Sequence, residues 1–122
     1  MTTVLIADDE PSLRLLVSAT IASDEYDVVE AVDGDEAWGL IRLHRPNVVL
    51  LDVQMPGKTG LDLTRAIRDD PDLKRTCVIL LTSKAQQADI QAGMAAGADR
   101  YLTKPFSPLE LLRVVEQAVE AT

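Results

Sequence analysis

Aspartate, threonine and lysine side chains stand at the ends of short apolar runs at several points of the sequence. Asp8 and Asp9 follow "TVLIA", Asp52 ends "NVVLLD", Thr82 ends "CVILLT" and Lys104 follows "DRYLT". Taken singly, an aspartate or a threonine at such a place often does no more than begin a turn or a helix. Their recurrence after four of five apolar runs instead favours a shared site at one edge of a sheet.

Carboxylates from Asp8, Asp9 and Asp52 at one edge would oppose one another's ionisation, and this repulsion predicts a bound cation. The sequence has one histidine and one cysteine, so it offers no cluster of the ligands that zinc prefers. A few hard oxygen ligands, with room left for water and a phosphate, fit magnesium instead. Lys104 would add a positive charge at the far side of the cluster.

The segment "VLLDVQMPGKTG", residues 49–60, ends like a nucleotide-binding loop. That motif has the pattern G-x-x-x-x-G-K-[ST], and Gly57, Lys58 and Thr59 match only its second half. Asp52 stands where the first glycine belongs, and its carboxylate would repel the phosphate oxygens that a glycine backbone would bind. We therefore predict that Lys58 and Thr59 are loop residues that lead into a helix.

Strand-forming runs and helical periodicity alternate five times along the chain. Val17 and Ile21, for example, have helical spacing after the first run. The last helix has the clearest start, because in "SPLE" Ser107 can cap it, Pro108 fits its first turn and Glu110 completes a capping box. The predicted strands are TVLIAD, YDVVEA, NVVLLD, CVILLT and DRYLT.

Alternating units of this size require parallel strands joined by right-handed crossovers, with helices on both faces of the sheet. We predict an α/β fold of the flavodoxin-like type, a doubly wound parallel sheet of five strands in the order 2-1-3-4-5. Ligands of such sheets bind beyond the carboxyl ends of the strands. The polar residues named first would lie at that edge, and only the second strand supplies nothing obvious.

Size and composition suit one domain that spans residues 1–122. The net charge of −8 disfavours direct binding to nucleic acid or to an anionic membrane. No signal peptide and no run of the ~18 apolar residues of a membrane span occurs, so we expect a cytoplasmic protein. Cys77 is expected to pack as a small hydrophobe, Trp38 to pack beside the core, and His44 to lie at the surface near a helix end.

Taken together, these residues resemble the receiver domain of two-component response regulators. The resemblance rests on the acidic pair at positions 8 and 9, on Asp52 followed by Met55 and Pro56, on Thr82, and on "KPF" at 104–106. It covers the chain almost end to end. Each motif is weak alone, but their order and spacing over five strand–helix units form a strong signal.

The resemblance implies that Asp52 is a nucleophile that accepts a phosphoryl group. The donor would be the phosphohistidine of a histidine kinase or phosphotransfer protein, or a small acyl phosphate. Asp9, Asp52 and the backbone carbonyl of Gln54 would ligate magnesium, with Asp8 acting mainly through a bound water, and Lys104 would hold the phosphoryl oxygens. These roles match phosphoryl transfer, in which positioning and charge neutralisation do most of the work.

A cis peptide bond between Lys104 and Pro105 and a conformational switch are also implied. In the switch, the Thr82 hydroxyl bonds the phosphoryl oxygens and Tyr101 turns inward. This change would reshape the surface formed by the fourth helix, the fifth strand and the fifth helix. The alternative for Tyr101 is a strand aromatic that packs in one rotamer.

We therefore predict a stand-alone signalling switch that catalyses only its own phosphorylation and dephosphorylation. It would act on a downstream protein, as a monomer or a weak phosphorylation-dependent dimer. A phosphohydrolase of the haloacid-dehalogenase type would need a second aspartate where Gln54 stands, and a receiver that signals without phosphorylation is expected to lack an acidic residue or Lys104. A receiver cut from a longer DNA-binding regulator stays open, although Met1 and an end just past the last helix argue for a complete chain.

Overall fold

The computed structural model describes residues 1–83 and 87–121, apart from the side chains at 87 and 89. Within this part the chain forms a single sheet of five parallel strands, in the order β2-β1-β3-β4-β5. The strands are β1 (Thr2–Ala7), β2 (Tyr26–Ala31), β3 (Val48–Asp52), β4 (Cys77–Ser83) and β5 (Arg100–Lys104). The α/β class, the flavodoxin-like architecture and the strand order predicted from the sequence are confirmed.

A helix follows each strand, and each helix packs against one of the two faces of the sheet. The helices are α1 (Pro11–Ile21), α2 (Gly34–His44), α3 (Gly60–Asp69), α4 (Gln87–Ala96) and α5 (Pro108–Ala121). The longest of these, α5, has 14 residues. None of the helices in the described residues is long and apolar enough to cross a membrane.

The central strands β1, β3 and β4 are buried on both faces, which explains their continuous apolar runs. Leu5, Leu51 and Leu80 pack on the face that α2 and α3 cover. Ile6 and Leu50 pack on the other face, against α1 and α5. Successive residues of one strand therefore enter opposite halves of the core.

The winding direction of the sheet reverses between β1 and β3. β2 lies outside β1, whereas β4 and β5 lie outside β3. Ala7 is level with Leu51, and Asp52 is level with Leu81. The residues that follow these positions therefore meet at one edge of the sheet, the place where ligands of doubly wound folds bind.

Two helices begin with reciprocal side-chain caps. At α5, the Glu110 N–H donates to Ser107 Oγ at 3.1 Å, and the Ser107 N–H donates to Glu110 Oε1 at 3.2 Å, which confirms the predicted capping box. At α3, the Asp62 N–H donates to Thr59 Oγ1 at 3.2 Å and the Thr59 N–H donates to Asp62 Oδ2 at 3.0 Å. Thr59 is thus the cap of α3, so the end of the "GKTG" segment leads into a helix as predicted.

A short 3-10 turn, Pro71–Leu73, follows α3 and was not predicted. The Asp70 carboxylate begins it by accepting the Asp72 N–H at 2.9 Å. Leu73 is its buried apolar residue. A single turn with one apolar anchor has no helical period, so the sequence pattern carries no signal for it.

Three single-residue expectations are confirmed. Cys77 is 5% exposed, and burial, followed by the charge of Asp99, raises the pKa of its thiol to about 11. Trp38 is half-buried beside the core, and the Arg42 guanidinium carbon lies 5.3 Å from the centre of its ring. His44 is the exposed last residue of α2.

Candidate functional site

The acidic residues that follow β1 and end β3 meet at the carboxyl edge of the sheet. Asp8 is fully buried, Asp52 is 7% exposed, and Asp9 is exposed to solvent. One carboxylate oxygen from each lies within 4.8 Å of the others. The structure therefore brings together the three carboxylates that the sequence placed at strand ends.

Lys104, the last residue of β5, reaches across to this cluster. Its Nζ donates to Asp8 Oδ2 at 2.8 Å and lies 3.5 Å from Asp52 Oδ2. The next peptide bond, between Lys104 and Pro105, is cis, the geometry that the receiver-domain resemblance implies. Lys104 thus neutralises part of the negative charge of the two buried carboxylates.

Backbone N–H groups hold the other oxygen of each buried carboxylate. The Glu10 N–H donates to Asp8 Oδ1 at 2.9 Å, and the Gln54 N–H donates to Asp52 Oδ1 at 3.3 Å. Each carboxylate therefore bonds the backbone through Oδ1 and faces Lys104 through Oδ2. Charge-assisted bonds of this kind fix the orientation of both groups.

Gly60 allows α3 to begin directly against the backbone of Asp52. A Cβ at position 60 would lie 2.6 Å from the carbonyl oxygen of Asp52, closer than two such atoms can approach. The Gly60 N–H also donates to the Val53 carbonyl oxygen at 3.1 Å. The start of α3 therefore supports the end of β3 from one side, and only glycine fits there.

Burial and neighbouring charge both act on Asp52. Burial first, and then the negative charge of Asp8, raise the pKa of Asp52 from 3.8 to about 6, while Lys104 and the Gln54 N–H oppose the rise. Burial alone would lower the pKa of Lys104, but the hydrogen bond to Asp8 and the charges of both carboxylates raise it. At neutral pH Asp52 is thus mainly ionised and Lys104 is charged.

The donor set of this edge fits a hard divalent cation. Three carboxylates against one ammonium leave an excess of negative charge in a partly buried site. Oxygen ligands of this kind, few in number and open to solvent at Asp9, are those that magnesium accepts. A contribution from the backbone carbonyl of Gln54 stays a prediction.

Thr82 and Tyr101, the two residues of the expected switch, lie on neighbouring strands. Thr82 is fully buried, and its hydroxyl donates to the Ser83 carbonyl oxygen at 3.3 Å. Tyr101 is level with Leu80, two residues before Thr82, so both side chains are on the same face of the sheet. Tyr101 is 48% exposed, which is the outward position from which an inward turn would begin.

Sequence reasoning missed Arg14, which lies behind the acidic pair. Its Nη1 donates to the Asp8 carbonyl oxygen at 2.7 Å, and its Nε lies 3.6 Å from Glu30 Oε1. The Ser18 hydroxyl donates to the other oxygen of Glu30 at 2.9 Å. The expectation that the second strand supplies nothing is therefore incomplete, because Glu30 of β2 holds the arginine that supports Asp8. The only sequence signal was an arginine in the first helix and a glutamate near a strand end, and both are common on surfaces.

Comparison with known proteins agrees with this arrangement. The response regulator receiver domain family matches residues 4–116, so the chain belongs to the family of receiver domains, the phosphorylation-controlled signalling domains of two-component response regulators. The chemotaxis response regulator CheY4 of Vibrio cholerae superposes with a TM-score of 0.89 at 36% identity, covering 97% of this chain and 98% of that one. The resemblance to receiver domains that the sequence indicates is therefore confirmed.

Two curated relatives extend beyond the region that matches. The chain is 35% identical over 114 residues to the response regulator GtcR of Aneurinibacillus migulanus, covering 93% of this chain and 46% of GtcR. It is 36% identical over 109 residues to the DNA-binding response regulator MtrA of Mycolicibacterium smegmatis, covering 89% of this chain and 46% of MtrA. The chain thus spans less than half the length of these relatives.

Proposed function

We propose that Asp52 is the phosphoacceptor of this receiver domain. The observation that carries the proposal is the position of Asp52, which ends a central strand 3.5 Å from Lys104 and within a cluster of three carboxylates. An ionised oxygen of Asp52 attacks the phosphorus of a phosphohistidine or of a small acyl phosphate. The new O–P bond forms as the P–N bond, or the acyl O–P bond, breaks, and the imidazole or the carboxylate leaves.

Asp8, Asp9 and Asp52 would hold magnesium together with the backbone carbonyl of Gln54, with Asp8 acting mainly through a water. When bound, this ion supplies positive charge to the phosphoryl oxygens. Lys104 would exchange its bond to Asp8 for one to a phosphoryl oxygen, since both acceptors are charged and lie at the same edge. Hydrolysis of the phosphoaspartate at the same site would reset the domain, which would catalyse no reaction on another substrate.

The phosphorylated state would act through the surface formed by α4, β5 and α5. The buried Thr82 hydroxyl stands at the end of β4, next to β5, and Tyr101 is exposed on that outer strand. A phosphoryl group on Asp52 offers acceptors to Thr82, and the space left by Thr82 would let Tyr101 turn inward. A downstream protein that contacts this surface would then bind one state better than the other.

The partners follow from this chemistry and from the charge of the chain. We expect a histidine kinase or a phosphotransfer protein as donor, a cytoplasmic setting, and a domain that is a monomer or a weak phosphorylation-dependent dimer. The net charge of −8 disfavours direct nucleic-acid contact by residues 1–122, even where a longer relative is named as DNA-binding.

The test is intact-mass measurement after treatment with an acyl phosphate and magnesium. We expect the mass of one added phosphoryl group on the parent protein and none on Asp52→Asn. Asp27→Asn, an exposed aspartate on β2 and away from the site, is the matched control and should be modified like the parent. A phosphoryl adduct that persists on Asp52→Asn would overturn the assignment.

A further inference from the structure

A second charged region lies at the opposite edge of the sheet, near the amino ends of β3, β4 and β5. It is a cleft of about 990 Å³. The C-terminal end of α2, the segment after the 3-10 turn, the first residues of β4 and β5, and the end of α5 form its walls. The residues that line these walls include Arg45, Lys74, Arg75, Thr76, Arg100 and Ala121. The cleft is distinct from the acidic cluster, and it shares with the α4–β5–α5 surface the first residue of β5 and the last residue of α5.

The charge of the cleft has the opposite sign to that of the chain. Five of the twelve lysines and arginines line it, namely the four cations of those walls and Arg68. Within residues 1–83 and 87–121, the carboxylates among its lining residues are those of Asp72 and Asp99. The cleft therefore has an excess of three positive charges in a chain whose net charge is −8.

Two of the five cations are already engaged by the fold. Arg68 donates to the Gly97 and Thr76 carbonyl oxygens at 2.8 Å each and to Asp99 Oδ2 at 2.6 Å. Arg45 lies 3.6 Å from Asp72, and both side chains are well exposed, so this pair is weak. Arg68 is therefore a structural residue, whereas Arg45 can turn to another anion.

The other three cations have no carboxylate partner within residues 1–83 and 87–121. Lys74 and Arg75 are exposed, and Arg100 donates only a 3.3 Å bond to the neutral Gln117 amide. Five cations against two carboxylates leave a net positive charge in the cleft, and a bound anion would reduce the repulsion among the cations. The cleft thus has free donors at several of its walls.

We propose that this cleft binds a compact, multiply charged anion with phosphate groups. The volume is at the upper end of the range for small-ligand sites. Arginine forks and a lysine ammonium are the groups that recognise phosphate oxygens. A small anion inside the cleft would lie within the Debye length of about 8 Å from these cations and would be attracted to them. A long polyanion would extend further than that and would be repelled by the negatively charged surface outside the cleft.

This site is separate from the proposed phosphoacceptor. Asp52 is level with Leu81, four residues along β4 from Cys77 in the wall of the cleft, so the cleft begins about 13 Å from the Asp52 backbone at ~3.3 Å per residue. The proposal therefore does not depend on phosphorylation of Asp52. Anion binding should be the same in the parent and in Asp52→Asn.

The test is titration with inorganic tripolyphosphate in EDTA and low salt, followed by calorimetry and by NMR shifts of backbone amides. We expect shifts at residues 74–78 and at Arg100. Charge reversal in Lys74→Glu/Arg75→Glu should weaken binding at least about 10-fold, and Arg100→Gln about 3-fold. Arg65→Glu/Arg113→Glu has the same net charge change at exposed positions outside the cleft and should weaken binding less than about 2-fold.

Equal losses of affinity in the two double variants would mean that binding depends only on the net charge of the protein, which would contradict the proposed site. Shifts confined to the Asp8 and Asp52 edge would overturn it as well. If Lys74→Glu/Arg75→Glu does not fold, Arg100→Gln still decides, because unchanged affinity in that variant contradicts the site.

The kind of ligand that carries the recognised charge is identified by comparing the affinity of tripolyphosphate with the affinities of a nucleoside triphosphate and of an oligoglutamate peptide of similar charge. Equal affinity for tripolyphosphate and the nucleoside triphosphate would identify the phosphate chain as the recognised group. Tighter binding of the nucleoside triphosphate would extend the ligand to nucleotides. Tighter binding of the peptide would replace the small-anion proposal by an acidic protein segment.

Discussion

At the scale of single residues, the burial of Asp52, the proposed phosphoacceptor, carries a cost in stability. Its carboxylate would have to be ionised to act as the proposed nucleophile, yet burial and the charge of Asp8 raise its pKa to about 6. The protonated form is therefore favoured in the folded state relative to the unfolded chain, in which the pKa is 3.8. The stabilisation from this group is complete below the unfolded pKa and is lost as the pH rises through the folded pKa.

Asp52→Asn should therefore stabilise the protein at neutral pH in the absence of divalent ions. We expect the free energy of unfolding to rise by about 1–2 kcal/mol near pH 7.5, after allowance for solvent screening, and to change little near pH 4. Urea denaturation in EDTA at both pH values measures the difference. Asp27→Asn is the control, and a gain of the same size at both pH values would show that ionisation of Asp52 is not the cause.

Arg14 is expected to position Asp8 without contacting the metal or the phosphoryl group. Loss of its 2.7 Å bond to the Asp8 carbonyl oxygen frees the loop that carries the acidic pair, so Arg14→Ala should weaken magnesium binding about 3- to 10-fold. Arg14→Lys should restore part of the affinity. The measurement is calorimetric titration with magnesium, with Arg113→Ala on the exposed side of α5 as control.

If Arg14→Ala lowers the melting temperature but leaves the magnesium affinity unchanged, Arg14 contributes to packing and does not position Asp8 for metal binding. Glu30→Gln provides an independent check, because it removes the charge that holds the Arg14 guanidinium at 3.6 Å. We expect a smaller loss of affinity in that variant than in Arg14→Ala.

At the scale of elements, the contact between β3 and α3 depends on the absence of a side chain at position 60. Gly60→Ala would place a Cβ 2.6 Å from the Asp52 carbonyl oxygen and force α3 away from the strand end. We expect a loss of at least about 2 kcal/mol in the free energy of unfolding and slower phosphorylation by an acyl phosphate. Chemical denaturation and intact-mass time courses measure the two effects.

Gly39 supplies the matched control for that substitution. It lies within α2, is exposed, and an added Cβ there would meet no atom within 4 Å. Gly39→Ala should therefore stabilise the protein by about 0.5–1 kcal/mol, because alanine has the higher helix propensity. Similar losses in both variants would mean that the close approach of α3 to Asp52 is not what Gly60 provides.

The connection between β4 and β5 can be tested with beryllofluoride as a mimic of the phosphoryl group. We expect NMR shifts in α4, β5 and α5 of the parent protein, because Thr82 and Tyr101 would rearrange together. Thr82→Ala should leave phosphorylation of Asp52 largely intact while it reduces those shifts, and Thr20→Ala on α1 is the control. Shifts limited to the loops around Asp52 in the parent would mean that this surface receives no signal.

At the scale of the whole molecule, magnesium should raise stability because it binds the folded site and not the dispersed carboxylates of the unfolded chain. At about ten times its Kd the expected gain is about 1.4 kcal/mol. Asp9→Ala should remove most of this gain, whereas Asp24→Ala, an exposed aspartate before β2, should not. The measurement is the melting temperature with and without magnesium. If magnesium does not change the melting temperature of the parent protein, the acidic cluster is a solvated turn and not a metal site.

The sequence predicted the sheet and the polar residues at its edge because both have strong local signals. Buried parallel strands appear as continuous apolar runs, and the residue that ends such a run must face the ligand edge, as Asp52 and Thr82 do. Arg14 and the close approach at Gly60 could not be predicted, since both depend on contacts between segments that are distant in the chain. The basic cleft was equally hidden, because its cations come from the end of α2, from α3, from the segment before β4 and from β5.

The close approach at Gly60 places the start of α3 against the end of the middle strand. β3 is the middle strand, its five residues are all buried, and α3 begins against its last carbonyl oxygen. Asp52, the proposed acceptor, therefore ends a strand with neighbours on both sides, whereas β5 has a strand neighbour on one side only. Because Lys104 ends that outer strand and lies 3.5 Å from Asp52, we expect a change of charge at Asp52 to displace β5 more readily than β3.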